Sequence, residues 1–112
     1  MELSSLATAT PFTTKDGSTI RELHHSAAQS LAEATLTPGQ STQRHQHRAS
    51  EEIYFILEGE GNLDIDGEKR HVGAGDAALI PAGAWHYIVA TSPLRFLCCC
   101  APPYSHDDTF LE

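Results

Sequence analysis

Two histidines one residue apart, His45 and His47, are the first residues in the chain with an obvious chemical use. In a β-strand that spacing sends both imidazoles to the same face, close enough to share one ion. A carboxylate nearby would supply anionic oxygen that offsets part of the ion's charge. Two adjacent residues could do so, Glu51 and Glu52, and their type alone does not choose between them. Seven histidines in 112 residues is a high count, so each is weighed as a ligand against the commoner surface or core histidine.

Such a pair needs strands to hold it, and the chain reads as a succession of short ones. Turn signals recur from Asp16-Gly17 through Pro38-Gly39, Glu58-Gly59, Asp66-Gly67, Gly73, Gly75, Pro81 and Gly83 to Ser92-Pro93. Between them lie apolar or alternating runs: Ile53 to Leu57, Asn62 to Asp66, Ala77 to Ile80, Trp85 to Ala90 and Leu94 to Cys100. His25 to Leu36 is rich in Ala, Leu, Glu and Gln and could turn into a helix by propensity. The strand-like material after Thr37-Pro38-Gly39 favours a strand over its later half, Leu31 to Leu36. At least seven strands without a convincing helix predict an all-β sandwich or barrel. Residues 1–20 are expected to be an N-terminal arm or edge strand. Residues 31–100 should form the barrel, and 101–112 a tail on its outside or across a partner, within a single domain.

Longer patterns surround these residues. Gly39, then five residues, His45-x-His47, four residues, Glu52, six residues and Gly59 resemble the first motif of the cupins. With Glu51 in the acidic place seven residues would precede Gly59, so the resemblance selects Glu52. Gly75, then five residues, Pro81-x-Gly83, two residues and His86 resemble the second motif, with Ala90 where the family carries asparagine. The resemblance implies a cupin jelly-roll β-barrel, often dimeric. It also implies one divalent metal ion held by His45, His47, Glu52 and His86. His24, His25, His71 and His106 match no motif position and are expected at the surface.

Three neutral imidazoles and one carboxylate leave a divalent ion positively charged, with two adjacent positions free if it is six-coordinate. Mn or Fe is preferred, with Ni, Co or Zn also suited to these ligands. Period-two alternation places Tyr54 and Ile56 beside Glu52, and Ile88 beside His86, as pocket walls for a small, partly hydrophobic ligand. Trp85 has the opposite parity. With Arg44 and Arg95 as the exceptions, no Arg or Lys falls in the inward set, which disfavours a strongly anionic substrate. Tyr54 and Glu51 are the candidate proton-moving residues.

The leading expectation is a metal-dependent dioxygenase or oxidoreductase acting on a small metabolite. A non-redox isomerase or lyase, or a ligand-binding cupin without turnover, are the alternatives. Fifteen acidic against seven basic residues give a formal charge of -8, which disfavours nucleic acid and anionic bilayers as partners. Lacking a signal-like leader or an apolar span of membrane length, the chain is expected in the cytoplasm. Cys98, Cys99 and Cys100 point alternately to opposite faces of a strand and cannot form relaxed disulfides with one another. A homodimer is expected through Ile53, Phe55 and Leu57, whose side chains would lie on the barrel's outer face.

Overall fold

Alternation along the chain sets the architecture. In Glu51–Glu58, Glu52, Tyr54 and Ile56 are buried while Glu51, Ile53 and Phe55 are exposed. In Leu94–Ala101 the same period buries Leu94, Phe96, Cys98 and Cys100. A strand with one face on a core must show this pattern. The computed structural model describes residues 1–112 and contains β1 (Phe12–Thr13), β2 (Thr19–His25), β3 (Ser30–Leu36), β4 (His45–His47), β5 (Glu51–Glu58), β6 (Glu60–Ile65), β7 (Glu68–Gly73), β8 (Ala77–Ile80), β9 (His86–Ala90), β10 (Leu94–Ala101) and β11 (Thr109–Leu111), with a 3-10 turn at His106–Asp108.

All pairings are antiparallel. One sheet runs β1-β2-β3-β10-β5-β8 and the other β11-β4-β9-β6-β7. The two close into a jelly-roll barrel. Its core is filled by Leu36, Ile56, Ile80, Leu94 and Phe96 from the first sheet and by Leu63, Val72, Ile88 and Ala90 from the second.

The segment with helical propensity is strand β3. Tertiary pairing overrides propensity here, because β3 is an interior strand hydrogen-bonded to β2 and β10. Its outward Glu33, itself buried, is met by Arg95 Nη1 at 3.1 Å and Arg21 Nη1 at 3.7 Å from the two flanking strands. The expected hairpin at Asp66-Gly67 is present, with φ of 50° and 89° at its two central residues, the left-handed pair that a two-residue turn between twisted strands demands.

Sheet pairing continues on both sides of residues 31–100. β2 pairs with β3 from Ser30 to Thr35, and β1 continues the sheet beyond it. The C-terminal segment is not a tail on the outside. β11 adds to the edge of β4, with Thr109 opposite His47 and Leu111 opposite His45. The break at Ala101-Pro102-Pro103 ends β10 but does not end the fold, since the chain crosses to the second sheet and supplies its edge strand.

Gly59 shows why the first motif ends in glycine. Its φ is +86°, and a Cβ there would run into the carbonyl oxygen of Pro93, with Leu94 Cα 3.1 Å away. Left-handed backbone and backbone contact both exclude a side chain. Gly59→Ala is therefore expected to lower unfolding free energy by about 3 kcal/mol or more in urea titration. A loss under about 1 kcal/mol would contradict this account of the turn.

Candidate metal centre

The register of β4 against β9 sets His45 directly opposite His86. His47, two residues on, lies on the same face, as the spacing predicts. All three rings are buried, and their ligand nitrogens lie within 4.8 Å of one another. The turn preceding β9 is tied to β4, for Gly83 N donates to His47 O at 2.7 Å and Gln46 Nε2 donates to Gly83 O at 3.0 Å. This is what the Pro81-x-Gly83 element does locally. Ala90, at the position where the family carries asparagine, is buried; its N–H donates to Gln40 O at 2.9 Å and its carbonyl accepts from Gly39 N at 2.8 Å. Main-chain bonds hold that end of β9.

Glu52 comes from the other sheet. Its Oε1 stands 3.4 Å from His47 Nε2 and 3.4 Å from His86 Nε2. The four residues named from the motifs thus meet in the gap between the sheets. Glu51 does not join them: it is exposed on the outer face, because β5 turns successive residues to opposite sides. Tyr54 is buried along the inner face, with its ring centroid 6.0 Å from that of His86 and 4.7 Å from that of Phe96. Ile56 and Ile88 face inward as expected but belong to the packed core. Arg95 pairs outside with Glu33 and Glu58, and Arg44 pairs with Asp64 and Glu112, so neither lines the cavity. His24, His25, His71 and His106 are exposed.

Each imidazole has one nitrogen committed to the backbone. His45 Nδ1 lies 2.7 Å from Gln43 O, His86 Nδ1 3.0 Å from Ala84 O, and His47 Nδ1 3.3 Å from Asp108 O. A carbonyl can only accept, so every Nδ1 carries the proton. In the neutral ring Nε2 then offers its lone pair to the interior, the tautomer a metal requires.

Two of the interior atoms have no hydrogen-bond partner, His86 Nε2 and Glu52 Oε1. They are 3.4 Å apart, so theirs is a charge contact without bonding geometry. Unpartnered buried polar atoms are rare and cost about 1–3 kcal/mol each. Donors about 2.1 Å from one ion stand roughly 3.0–3.4 Å apart. The spacing and the orphaned atoms both fit a divalent cation, and His45, His47 and His86 are placed to hold one.

Electrostatics follow from burial and from the carboxylate. Burial pulls the His47 pKa down, but the negative charge of Glu52, 3.4 Å away, and the Asp108 carbonyl more than reverse this and leave it above the ordinary histidine value. His45 is lowered, first by burial and then by the nearby His86. Burial would raise Glu52, yet His47 and His86 outweigh it and hold the carboxyl well below its ordinary range. Burial, with Glu52 next, pushes Tyr54, Cys98 and Cys100 up, so phenol and thiols stay protonated.

Four contributing residues were not anticipated. Cys100 Sγ donates to Glu52 Oε2 at 3.3 Å. Asp108 and Thr109, in the supposed tail, meet His47 Nδ1. Asp16, in a turn to which no function was assigned, brings Oδ2 to 3.2 Å from His45 Nε2. The Asp16-Gly17 pair signalled the turn but nothing about where it docks. A cavity beside the centre is lined by Asp16, Ile20, Ala32, Ala34, His47, Glu52, Tyr54, Phe96, Cys98, Cys100 and Tyr104 among others, and no Arg or Lys.

Residues 32–100 match the family model described as the cupin domain. The chain belongs to the cupin family. An uncharacterized protein of Methanocaldococcus jannaschii is 50% identical over 106 residues, 88% of this chain and 85% of that one. The oxalate-binding protein of Thermotoga maritima is 37% identical over 79 residues, 69% of this chain and 65% of its own. Among solved structures, KdgF from Halomonas sp. superposes with a TM-score of 0.86 at 20% identity, covering 94% of this chain and 96% of its own, a likeness of fold. A predicted oxalate decarboxylase from Thermotoga maritima gives a TM-score of 0.75 at 28% identity over 88% of this cupin and 97% of its own chain. No helix is long and apolar enough to cross a membrane.

Protons and a metal ion compete for the same Nε2 atoms. Because Glu52 holds the His47 pKa above the ordinary histidine value, divalent-ion affinity should fall as pH drops through the neutral range. Competition with a chromophoric chelator at about pH 8, 7 and 6 measures this. Constant affinity across the range would contradict the protonation scheme.

Proposed function

We propose that this cupin holds one divalent metal ion through His45, His47, His86 and Glu52 and is an enzyme on a small metabolite. The observation that carries the reading is the pair of orphaned buried atoms, His86 Nε2 and Glu52 Oε1, aligned with three imidazoles whose tautomer is set by the backbone. Mn or Fe is preferred, while Ni, Co and Zn also suit the donor set.

Once bound, the ion would act as a Lewis acid toward a ligand oxygen or, if Fe, give access to oxygen chemistry. The chain's own residues favour the non-redox branch, an isomerase or lyase. Two thiols line the cavity, and Cys100 touches Glu52 at 3.3 Å. Oxygen activation beside them would put both at risk of oxidation. Tyr54, kept neutral by burial, holds a phenolic proton at the cavity wall and can donate it in a hydrogen bond to a bound substrate. Ile20, Ala32, Ala34 and Phe96 provide apolar walls that limit water near the reacting atoms.

The oxalate-binding relative supports a second reading, a cupin that holds a small acid without turnover. The absence of Arg and Lys from the cavity lining means that a dianion would depend on the ion alone.

Residues 1–112 are proposed to form a single domain, and the protein to work in the cytoplasm, which suits its three unpaired cysteines. A homodimer is proposed through the outer face of β5 and β8. Ile53, Phe55 and Leu79 are 41%, 40% and 56% exposed there, and the patch would gain from being covered.

The test begins with metal analysis of purified protein, then a screen of small sugars, keto acids and hydroxy acids for turnover with oxygen uptake recorded. About one ion per chain and conversion without oxygen uptake are expected. His47→Ala should remain folded and lose the metal, and stoichiometric metal in that variant would refute the ligand set. Oxygen consumption coupled to product would transfer the reading to the dioxygenase branch. Tyr54→Phe is expected to keep the metal and lower kcat by about 10²-fold; an unchanged kcat would remove Tyr54 from the chemistry.

A further inference from the structure

Asp16 lies in the turn between β1 and β2 and is buried, with its two carboxylate oxygens in different surroundings. Oδ1 accepts three hydrogen bonds, from Thr14 Oγ1 at 2.7 Å, Ser18 Oγ at 2.7 Å and Ser18 N at 2.9 Å. Oδ2 faces His45 Nε2 at 3.2 Å. His45 has already committed its Nδ1 proton to Gln43 O at 2.7 Å, so the neutral ring presents a lone pair to an anionic oxygen. At that distance, out of water, the two repel unless a positive charge lies within reach of both.

The turn is fastened from several directions and is not free to withdraw. Gln43 N donates to Asp16 O at 2.8 Å. Lys15 Nζ donates to the carbonyls of His106 and Thr109 at 3.0 and 2.8 Å, joining the turn to the segment that supports His47. The separation of 3.2 Å is also that of neighbouring donors on one ion: two atoms about 2.1 Å from a common centre at a right angle are about 3.0 Å apart.

We propose that Asp16, through Oδ2, is a further protein ligand to the divalent ion. This rests on the reading of His45, His47, His86 and Glu52 as its other holders. Glu52 meets His47 and His86, whereas Asp16 meets His45, so each imidazole has a carboxylate beside it. Two carboxylates cancel the charge of a divalent ion, and five protein donors leave a six-coordinate ion a single position in place of two. The ligand class follows: a neutral metabolite bound through one oxygen, such as an alcohol, carbonyl or sugar hydroxyl. A chelating dianion would have to displace Asp16. A cavity lined by Asp16, Glu22 and Glu52 without a basic side chain agrees with that preference.

The test compares wild type, Asp16→Asn and Asp16→Ala with Mn(II) as the probe. Asparagine retains the Oδ1 acceptor that the turn needs and sets an amide donor against the His45 lone pair. Metal-free Asp16→Asn should therefore melt at or above the wild-type temperature. Mn(II) affinity, followed by the spin-resonance signal of the free ion, should fall about tenfold or more in both variants. Water-proton relaxivity per bound Mn(II) should rise by the contribution of one additional water. Relaxivity per bound ion equal to wild type in both variants would overturn the assignment, whatever their melting temperatures. Wild type that takes up no Mn(II) at millimolar concentration would sink the four-ligand reading and this one with it. The failure of Asp16 alone is therefore distinguishable.

Discussion

A carboxylate buried among imidazole lone pairs is the constraint on which the rest of this structure depends. Glu52 reaches in from the six-stranded sheet and His45, His47 and His86 from the five-stranded sheet. Every interior atom in this group is a Lewis base in the tautomer that the backbone imposes. Without positive charge such a group is unfavourable, since no protein donor satisfies Glu52 Oε1 or His86 Nε2. A single cation would answer all of them together. The surroundings are matched to this: Tyr54, Cys98 and Cys100 remain neutral and add no competing charge.

Support for the centre comes from far apart in the chain. Gln43 and Ala84 carbonyls, each two residues before the histidine they orient, work locally. His47 has no such neighbour and relies on Asp108 and Thr109, more than sixty residues on. The Asp108 carboxylate also accepts from Arg48 N at 3.1 Å and from Ala49 N at 3.1 Å, fixing the turn that follows β4. Lys15 joins the first turn to this same segment. Both ends of the chain are therefore part of the centre's scaffold, and the short β4 is held from both sides, by β9 and by β11.

Legibility from sequence was uneven for physical reasons. A period of two reports which face a residue takes, and once the motif resemblance had chosen Glu52 over Glu51 it placed Tyr54 inward beside it. The same rule applied to Cys98, Cys99 and Cys100, of which the middle one is exposed. Glycine positions reported turns, because the left-handed backbone at Gly59, Gly67 and Gly83 is costly for other residues. Composition misleads in β3, where helix formers occupy an interior strand, since pairing on two sides outweighs a propensity difference of a few tenths of a kcal/mol per residue.

What residues 39–90 determined by themselves is the resemblance to the cupins, and through it the jelly-roll class and the four side chains to examine, because both motifs lie within that one stretch of sequence. What only the tertiary structure decided is which distant groups complete that convergence. The turn at Asp16 and the strand at Thr109–Leu111 carry no local pattern that points inward. Their roles exist only once two sheets close and hydrogen bonds fix how the ends cross, and long-range pairing of that kind leaves no periodic mark on the residues that perform it.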